Sequence, residues 1–428
     1  MLRIPESRWS AWPMPAALRC VAFALVAAGG AAGCTADRIA GPKLPDTPVA
    51  AKAVATGSNS TCALTADGKV YCWGSNNAGQ IGDSTFAPTL VPSAALTTQT
   101  FVAIYAGEFT ACALDHSGSA WCWGDDPSQP GVPVSYLYSP QRVHAPTAFG
   151  SLTIGRKFVC GLDGGGSAWC WGENGHGQLG VGDTAVHASP TQVKGGLHFA
   201  SLQAGFFSTC GLTTAGAAYC WGDNFFGELG TGDTLAASQP KRVTGGHTYT
   251  SLSGGAIHQC GVAVDGSAFC WGTNASGQLG DGTDTTRLTP TPVAGGLKFT
   301  LLRSHRANSI FGSTCGLTTG GDVYCWGWNS KGQLGVDPAL TTDPCISIQP
   351  PGTNNIPGEL TFQCSYHPLK VAGVANAVAI DGGMAHNCAL TAGAQLLCWG
   401  QNTAGELGDG TGVNHTTPVS PVGGLRFP

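Results

Sequence analysis

Two cysteines ten residues apart, with Trp-Gly directly after the second, recur seven times along this chain, and in six of the seven a glycine stands six residues after the first. The pairs are Cys62/Cys72, Cys112/Cys122, Cys160/Cys170, Cys210/Cys220, Cys260/Cys270, Cys315/Cys325 and Cys388/Cys398. A unit repeated that often confines the chain to an architecture in which every copy meets its neighbours in the same way. The spacing itself has a geometric reading. In CALTADGKVYC (62–72), Ala66-Asp67-Gly68 makes a three-residue hairpin loop, with Gly68 left-handed as a G1 bulge requires. Cys62 then falls opposite Cys72 at a non-hydrogen-bonded position, within disulfide reach. Gly118, Gly166, Gly216, Gly266 and Gly321 keep the same offset, whereas the seventh unit places Gly393 one position early.

Two further strand signals flank each hairpin. A segment of alternating apolar and small residues precedes it, as in FASLQAG (199–205). A short extended piece containing Pro follows it, as in PTQV (190–193) and PTPV (290–293). That makes four strands per unit. The first cysteines are separated by 50, 48, 50, 50, 55 and 73 residues, a period that belongs to propellers and arrays.

The pattern C-x-L-x-x-x-G-x-x-x-C-W-G-x-N-x-x-G-Q-L-G resembles the regulator of chromosome condensation repeat, over residues 48–428. GQLG is intact at 177–180, 277–280 and 332–335, GELG stands at 227–230 and 405–408, and GQIG at 79–82. The second unit departs, reading WGDDPSQPGVPVS from Trp123. The resemblance implies an all-β, seven-bladed β-propeller of four-stranded antiparallel blades over residues 49–428. The chain ends in GGLRFP (423–428), matching the lead-in GGLHFA (195–200), so the N- and C-terminal strands are expected to share one blade and close the ring. The seven Trp residues after the second cysteines (Trp73 to Trp399) are expected to pack blade against blade rather than to stack on a ligand.

Eighteen cysteines without a C-x-x-C or fixed His partners point to structural disulfides and an oxidising compartment, not to metal sites. Residues 1–33 carry Arg3, Arg8 and Arg19 ahead of the apolar stretch Cys20–Gly33, as a signal peptide does. Ala31-Ala32-Gly33-Cys34 resembles a lipoprotein cleavage box, with lipidation expected at Cys34 and residues 34–48 serving as a Pro/Ala-rich tether. Cysteine arithmetic agrees: with Cys20 removed and sixteen cysteines paired, Cys34 is left over. The expected location is the cell envelope, attached by lipid alone, with plain secretion as the alternative. Net charge is −5, and charged residues make up 11% of the chain with no basic run, which argues against nucleic-acid binding.

The repeat is interrupted mainly in unit six. Gly335 to Pro368 spans 33 residues where other units use ten, an insertion at about 336–367 that holds Cys345 and Cys364. These two are expected to pair and staple the loop. The same unit lengthens its first connection, RSHRANSIFGSTC (303–315), and carries Trp328 just past Cys-Trp-Gly. Both expansions fall on one face, where scaffold loops commonly carry function. Arg303, His305, Arg306, Phe311 and Trp328, with Phe206, Phe207, Phe225 and Phe226 of unit four, are therefore the candidate partner-binding residues. The competing reading has these Phe side chains folded inward.

Catalytic motifs of the Ser-elbow, zincin and phosphate-loop types are absent from the sequence. His176, His258 and His386 read as unrelated loop residues, and the Asp-rich turns at 281–284 and 230–233 lack a full set of calcium ligands. No cofactor or metal is expected. The resembled family includes nucleotide exchange factors and a secreted β-lactamase inhibitor, so the resemblance implies a non-catalytic binding module for a protein or glycan partner, as a monomer. The alternatives are a polysaccharide-acting enzyme, which needs paired carboxylates in the central channel, and a structural envelope protein.

Overall fold

In the computed structural model, the residues described are 51–129, 135–305, 311–341, 343, 345–347, 360–393 and 395–422. They contain seven four-stranded antiparallel sheets, each built from four strands consecutive along the ring. Blade one comprises Ala51–Thr56, Ser60–Thr65, Val70–Gly74 and Thr89–Ala94. Blade six comprises Phe299–Ser304, Ser313–Thr318, Val323–Trp328 and Cys364–Lys370. Blade seven comprises Ala377–Gly382, His386–Thr391, Leu396–Gly400 and His415–Val419. The first strands of all seven blades line one central cavity of about 380 Å³.

The central hairpin forms as its spacing requires. Cys62 is paired with Cys72, Gly68 has φ +81°, and the Thr65 amide donates to the Lys69 carbonyl at 2.8 Å. The same cross-strand disulfide joins Cys112 to Cys122, Cys160 to Cys170, Cys210 to Cys220, Cys260 to Cys270, Cys315 to Cys325 and Cys388 to Cys398. All seven have Cα–Cα distances of 4.0–4.1 Å. The seventh hairpin keeps the register, with the Thr391 amide donating to the Gln395 carbonyl and Cys388 opposite Cys398.

Beyond the second cysteine the ladder is not the uniform pairing that the sequence suggests. In blade four Cys220 lies opposite Lys241, but Gly222 lies opposite Ala237, so the register slips between Cys220 and Gly222. The fourth strand spends four residues where the third spends two, and Pro240 is among the extra ones. A proline has no amide proton to give to a ladder, so it belongs in a bulge or on an outer strand, and here it has both. Cys170 and Cys270 begin the same slip opposite Thr191 and Thr291, next to Pro190 and Pro290. Cys220 itself is completely buried beneath this bulge. It staples the blade and belongs to no surface.

The Gly-Gln-Leu-Gly turn is held from inside by its own motif. In Asn174-Gly-His-Gly-Gln-Leu-Gly180, Asn174 Oδ1 accepts from the Leu179 amide (3.0 Å), and its Nδ2 donates to the Asp183 carbonyl (3.0 Å). Gln178 Oε1 accepts from the His176 amide (2.9 Å). The Leu or Ile of each turn is fully buried. It lies with the cysteines of its own blade and the Trp of the next, as Leu279 lies with Cys270 and Trp326.

That Trp joins the blades. All seven are completely buried. Trp326 Nε1 donates to the Gln278 carbonyl (3.0 Å), and Trp123, Trp271 and Trp399 make the same bond to Gln80, Glu228 and Gln333. The last glycine of the turn is required by this contact, because a Cβ on Gly280 would stand 2.6 Å from Trp326 Nε1.

One expectation needs correction. Among the described residues no blade is shared between the two ends of the chain: Ala51–Thr56 already fills the inner position of blade one, and blade seven supplies its own four strands. Residues 423–428 lie outside the described residues. The ring closes by side chains and loops instead. Trp73 Nε1 donates to the Glu406 carbonyl (2.9 Å), the Thr56 amide and hydroxyl donate to Asp381 Oδ2 (2.7 and 2.9 Å), and the Met384 amide donates to the Ser58 carbonyl (2.9 Å). No strand has to cross from one end to the other, because the Trp-to-turn bond that joins most neighbouring blades is repeated between blade seven and blade one.

Candidate functional site

In each blade, the connections between strands one and two and between strands three and four emerge at the same end. The short first connections are tied around that end by main-chain bonds: Arg156 N to Phe206 O, Phe206 N to Ala256 O, and Ala256 N to His305 O, at 3.2–3.3 Å. Blade six departs from this pattern. Its third strand runs to Trp328, which pairs with Cys364 at the start of an extended fourth strand. The inserted chain forms a 3-10 turn, Pro338–Leu340, capped by Asp337, then a hairpin of Cys345–Ser347 with Leu360–Phe362. The Cys345–Cys364 disulfide pins that hairpin to the fourth strand, with both cysteines buried. Asp343 adds a second tie, its carboxylate accepting from the Tyr366 amide at 2.6 Å.

Three aromatic rings meet where the two expansions converge. Phe311 stacks on Trp328 with centroids 5.9 Å apart, and Phe362 meets Phe311 edge-on at 4.6 Å. All three are partly exposed. Trp328 Nε1 donates to Ser330 Oγ (2.8 Å), which fixes the indole against its own loop. Phe311 and Trp328 were expected from sequence. Phe362 was not, because it lies beyond a stretch with no repeat register to count from.

The other unit-six residues point elsewhere. Arg303 belongs to the inner strand rather than the loop, opposite Cys315, and faces the central cavity. There its Nε donates to Asp381 Oδ1 of blade seven at 3.1 Å. His305 occupies the turn position that Gly255 holds in blade five, and its side chain is completely buried. Its Nδ1 bonds to Ser313 Oγ. His305 is thus withdrawn from the surface. Arg306 lies outside the described residues.

Blade four divides in the same way. Phe206 is buried, whereas Phe207 is partly exposed. The Arg156 guanidinium lies over both rings at 5.8 and 5.6 Å, and its Nε stands 3.1 Å from Glu108 Oε2. Burial raises the Glu108 carboxyl above its ordinary value, and Arg156 opposes this. Phe225 is 71% exposed and meets Phe226 edge-on at 4.9 Å. A further exposed cluster of Phe86, Tyr136 and Tyr138 joins blades one and two, with centroids 4.9–5.9 Å apart. Sequence reasoning missed it because its members sit on separate units at positions with no repeat meaning.

Three histidines are buried, not scattered on loops. Thr314 Oγ1 gives its only proton to the Gln278 carbonyl, so His258 Nε2 must be the donor in their 3.0 Å bond. His386 and Thr61 repeat this at the boundary between blades seven and one. Burial pushes His258 and His386 down to about 3 and His305 down to about 4. His176 is the exposed one, 4.6 Å from the Phe207 ring and 3.6 Å from Asp223.

No group of metal-ligating side chains is assembled among the described residues. Among the described residues lining the central cavity, Asp381 is the one carboxylate, and Arg303 and Thr56 occupy it. The two-carboxylate geometry that a polysaccharide-acting enzyme needs is not formed there. Among the described residues, no helix is long and apolar enough to cross a membrane.

Comparison with known proteins agrees with this architecture. Human WBSCR16 superposes with a TM-score of 0.66 at 17% identity, covering 80% of this chain and 87% of that one. Prp20p of Saccharomyces cerevisiae superposes with a TM-score of 0.62 at 19% identity, covering 77% and 80%. At such identities the likeness concerns the fold alone. The ultraviolet-B receptor UVR8 of Arabidopsis thaliana is 30% identical over 105 residues, which is 24% of this chain and 19% of that protein's length. The family model of the RCC1-like domain matches residues 30–313, and that of the regulator of chromosome condensation (RCC1) repeat matches residues 311–333. With seven stapled blades and a family match over more than half its length, the chain belongs to the RCC1-like domain family.

Proposed function

We propose that this protein is a non-catalytic binding module of the cell envelope that presents its blade-six loop face to a protein partner. One observation carries the reading. The repeat is expanded twice, both expansions lie in blade six, and they bring Phe311, Trp328 and Phe362 into one partly exposed cluster beside a disulfide-stapled hairpin. A partly exposed aromatic group on a preorganised loop is what a binding hot spot requires, because little side-chain entropy remains to be lost on contact. Phe207, Phe225 and Phe226 extend the same face across blade four. Prp20p, a similar propeller, is described with binding properties to Gsp1p and histones, which supports protein recognition on this kind of ring.

The test is retention of envelope proteins by immobilised wild type, by Trp328→Ala and by a variant lacking residues 341–366. Partners held by the wild type are expected to be lost, about tenfold or more, by both variants, while circular dichroism and melting stay close to wild type for Trp328→Ala. Equal retention by all three would reject the blade-six assignment.

The disulfides fit an oxidising compartment, and lipid attachment at Cys34 is part of the proposal. Intact mass of the mature protein, before and after reduction, decides it. A chain starting at Cys34, heavier by a lipid and gaining about sixteen hydrogens on reduction of eight bridges, is the expected result. An unmodified N-terminus would remove the anchor while leaving the binding proposal standing.

A further inference from the structure

Each inner strand sets one residue at the register position opposite the first cysteine of its blade, and all seven of these residues line the central cavity. The repeated backbone thus delivers a ring of seven side chains, which the sequence fills unevenly. Three of them brace the next blade. Thr153 Oγ1 accepts from the Ala204 amide (3.0 Å), Ser253 Oγ from the Ser304 amide (2.7 Å) and Asp381 Oδ2 from the Thr56 amide (2.7 Å). Ala55 has no polar side-chain atom to offer, and the Tyr105 hydroxyl bonds to the Leu152 backbone.

Two long side chains remain, Gln203 of blade four and Arg303 of blade six, on either side of Ser253. Both are partly exposed where they line the cavity. The Gln203 side-chain amide has no hydrogen-bond partner among the described residues. Arg303 commits Nε to Asp381 Oδ1 and Nη1 to the Leu302 carbonyl, each at 3.1 Å, which leaves Nη2 uncommitted among the described residues. Asp381 is the opposite case. It already accepts from the Thr56 amide, the Thr56 hydroxyl and Arg303, so its acceptor capacity is nearly spent. The charged residues among those described as lining the cavity are Lys52, Arg303 and Asp381, two cations against one anion, in a chain whose net charge is −5. What the cavity has to spare is therefore proton donors in a locally positive field, and the complement of a half-used guanidinium is a carboxylate.

We propose that the central cavity binds a small organic carboxylate, whose oxygens accept from Arg303 Nη2 and the Gln203 side-chain amide. The cavity of about 380 Å³ is of the size of small-ligand sites. Its partly exposed apolar wall consists of small residues such as Ala53 and Ala379, which suits a short carbon chain behind the head group. Asp381 holds the guanidinium from one side and Thr153 and Ser253 fix the neighbouring strand ends, so the donors are positioned before a ligand arrives. A free acid and the C-terminus of a peptide share this head group, and the experiment separates them.

The site lies in the channel, so its failure would leave the reading of the blade-six loop face untouched. The probes are lactate, its neutral twin lactamide, and acetyl-Ala-Ala with a free C-terminus, each titrated into the full-length protein. The readouts are the Gln203 side-chain amide and Arg303 Nε–H resonances, assigned with Gln203→Leu and Arg303→Lys. Lactate is expected to shift both, and lactamide neither at the same concentration. Gln203→Leu removes an amide that bonds to nothing else in the fold. It is expected to weaken lactate binding at least about tenfold, equivalent to about 1.4 kcal/mol, with the melting temperature unchanged. Shifts from the peptide and not from lactate would support the carboxylate site and identify its source as a chain terminus. Equal shifts from lactamide, undiminished binding by Gln203→Leu, or no shift from either acid would overturn the proposal.

Discussion

Replacing Trp326 by Ala is expected to lower the unfolding free energy by about 3–5 kcal/mol, the range for deleting a fully buried Trp. The indole is completely buried between blades five and six, with Leu279 and Cys270 in the same cluster, and its Nε1 holds the Gln278 carbonyl. Relaxation cannot refill the space cheaply, because Gly280 has no side chain to offer and its φ of +68° disfavours one. Urea unfolding with the disulfides intact measures the effect. A cost below about 1 kcal/mol, the scale of one ordinary hydrogen bond, would mean that the blades are joined by their loops and not by this ring of indoles. By the same geometry a substitution at Gly280 should damage the boundary from the other side, without touching the chemistry of Trp326.

Acidification from pH 7 to pH 5 is expected to destabilise the propeller by about 3–4 kcal/mol. His258, His305 and His386 are completely buried, and burial holds all three well below their ordinary value of 6.5. For a group whose pKa is depressed by folding, the unfolded chain takes up protons first. Stability from keeping it neutral is therefore complete above pH 6.5 and lost as the pH falls toward the folded-state values of about 3 to 4. Each histidine costs about 2 kcal/mol at pH 5 on this basis.

Glu228 works in the opposite direction. It stands where Gln occupies several other turns, and burial raises its carboxyl from 4.5 to about 7, with Asp223 adding to the rise. Its contribution is greatest below pH 4.5 and declines as the pH rises through 7, so acidification restores about 2 kcal/mol at this site. Glu228→Gln should therefore stabilise the protein at pH 7 and steepen its decline on acidification. Denaturation at pH 5, 6 and 7 on both proteins separates the two effects. A flat profile in the Gln variant would contradict burial of the histidines as neutral rings.

Much of this architecture follows from short-range rules. The ten-residue spacing, the loop glycine and the closing pair are all local, so Cys62 opposite Cys72, or Cys210 opposite Cys220, could be read before any blade was seen. The Trp following each second cysteine has to leave the hairpin on the face opposite the disulfide, and its recurrence in every unit points to a shared neighbour. The length of the blade-six insertion, with its two extra cysteines, likewise marked where Phe311 and Trp328 would meet, since both expanded connections open at the same end of one blade.

What the chain could not reveal locally is which neighbour, 43 to 66 residues away for most blades, receives each side chain. The slip after Cys220 depends on how the fourth strand accommodates its proline, which the hairpin alone does not specify. Arg303 and His305 looked like loop residues, yet the inner strand runs through Arg303 to Ser304, turning Arg303 into the channel toward Asp381, 78 residues on. Phe206 and Phe207 are adjacent and chemically identical, but the packing of Ala256 and Arg156 around that loop buries one and leaves the other partly exposed. Closure of the ring within sequential blades is also a product of assembly. Sequence by itself determined the blade, because hydrogen-bond register and disulfide reach act within a few residues. Tertiary structure decided which surfaces are left to bind, because burial is set by what the adjoining blade happens to supply.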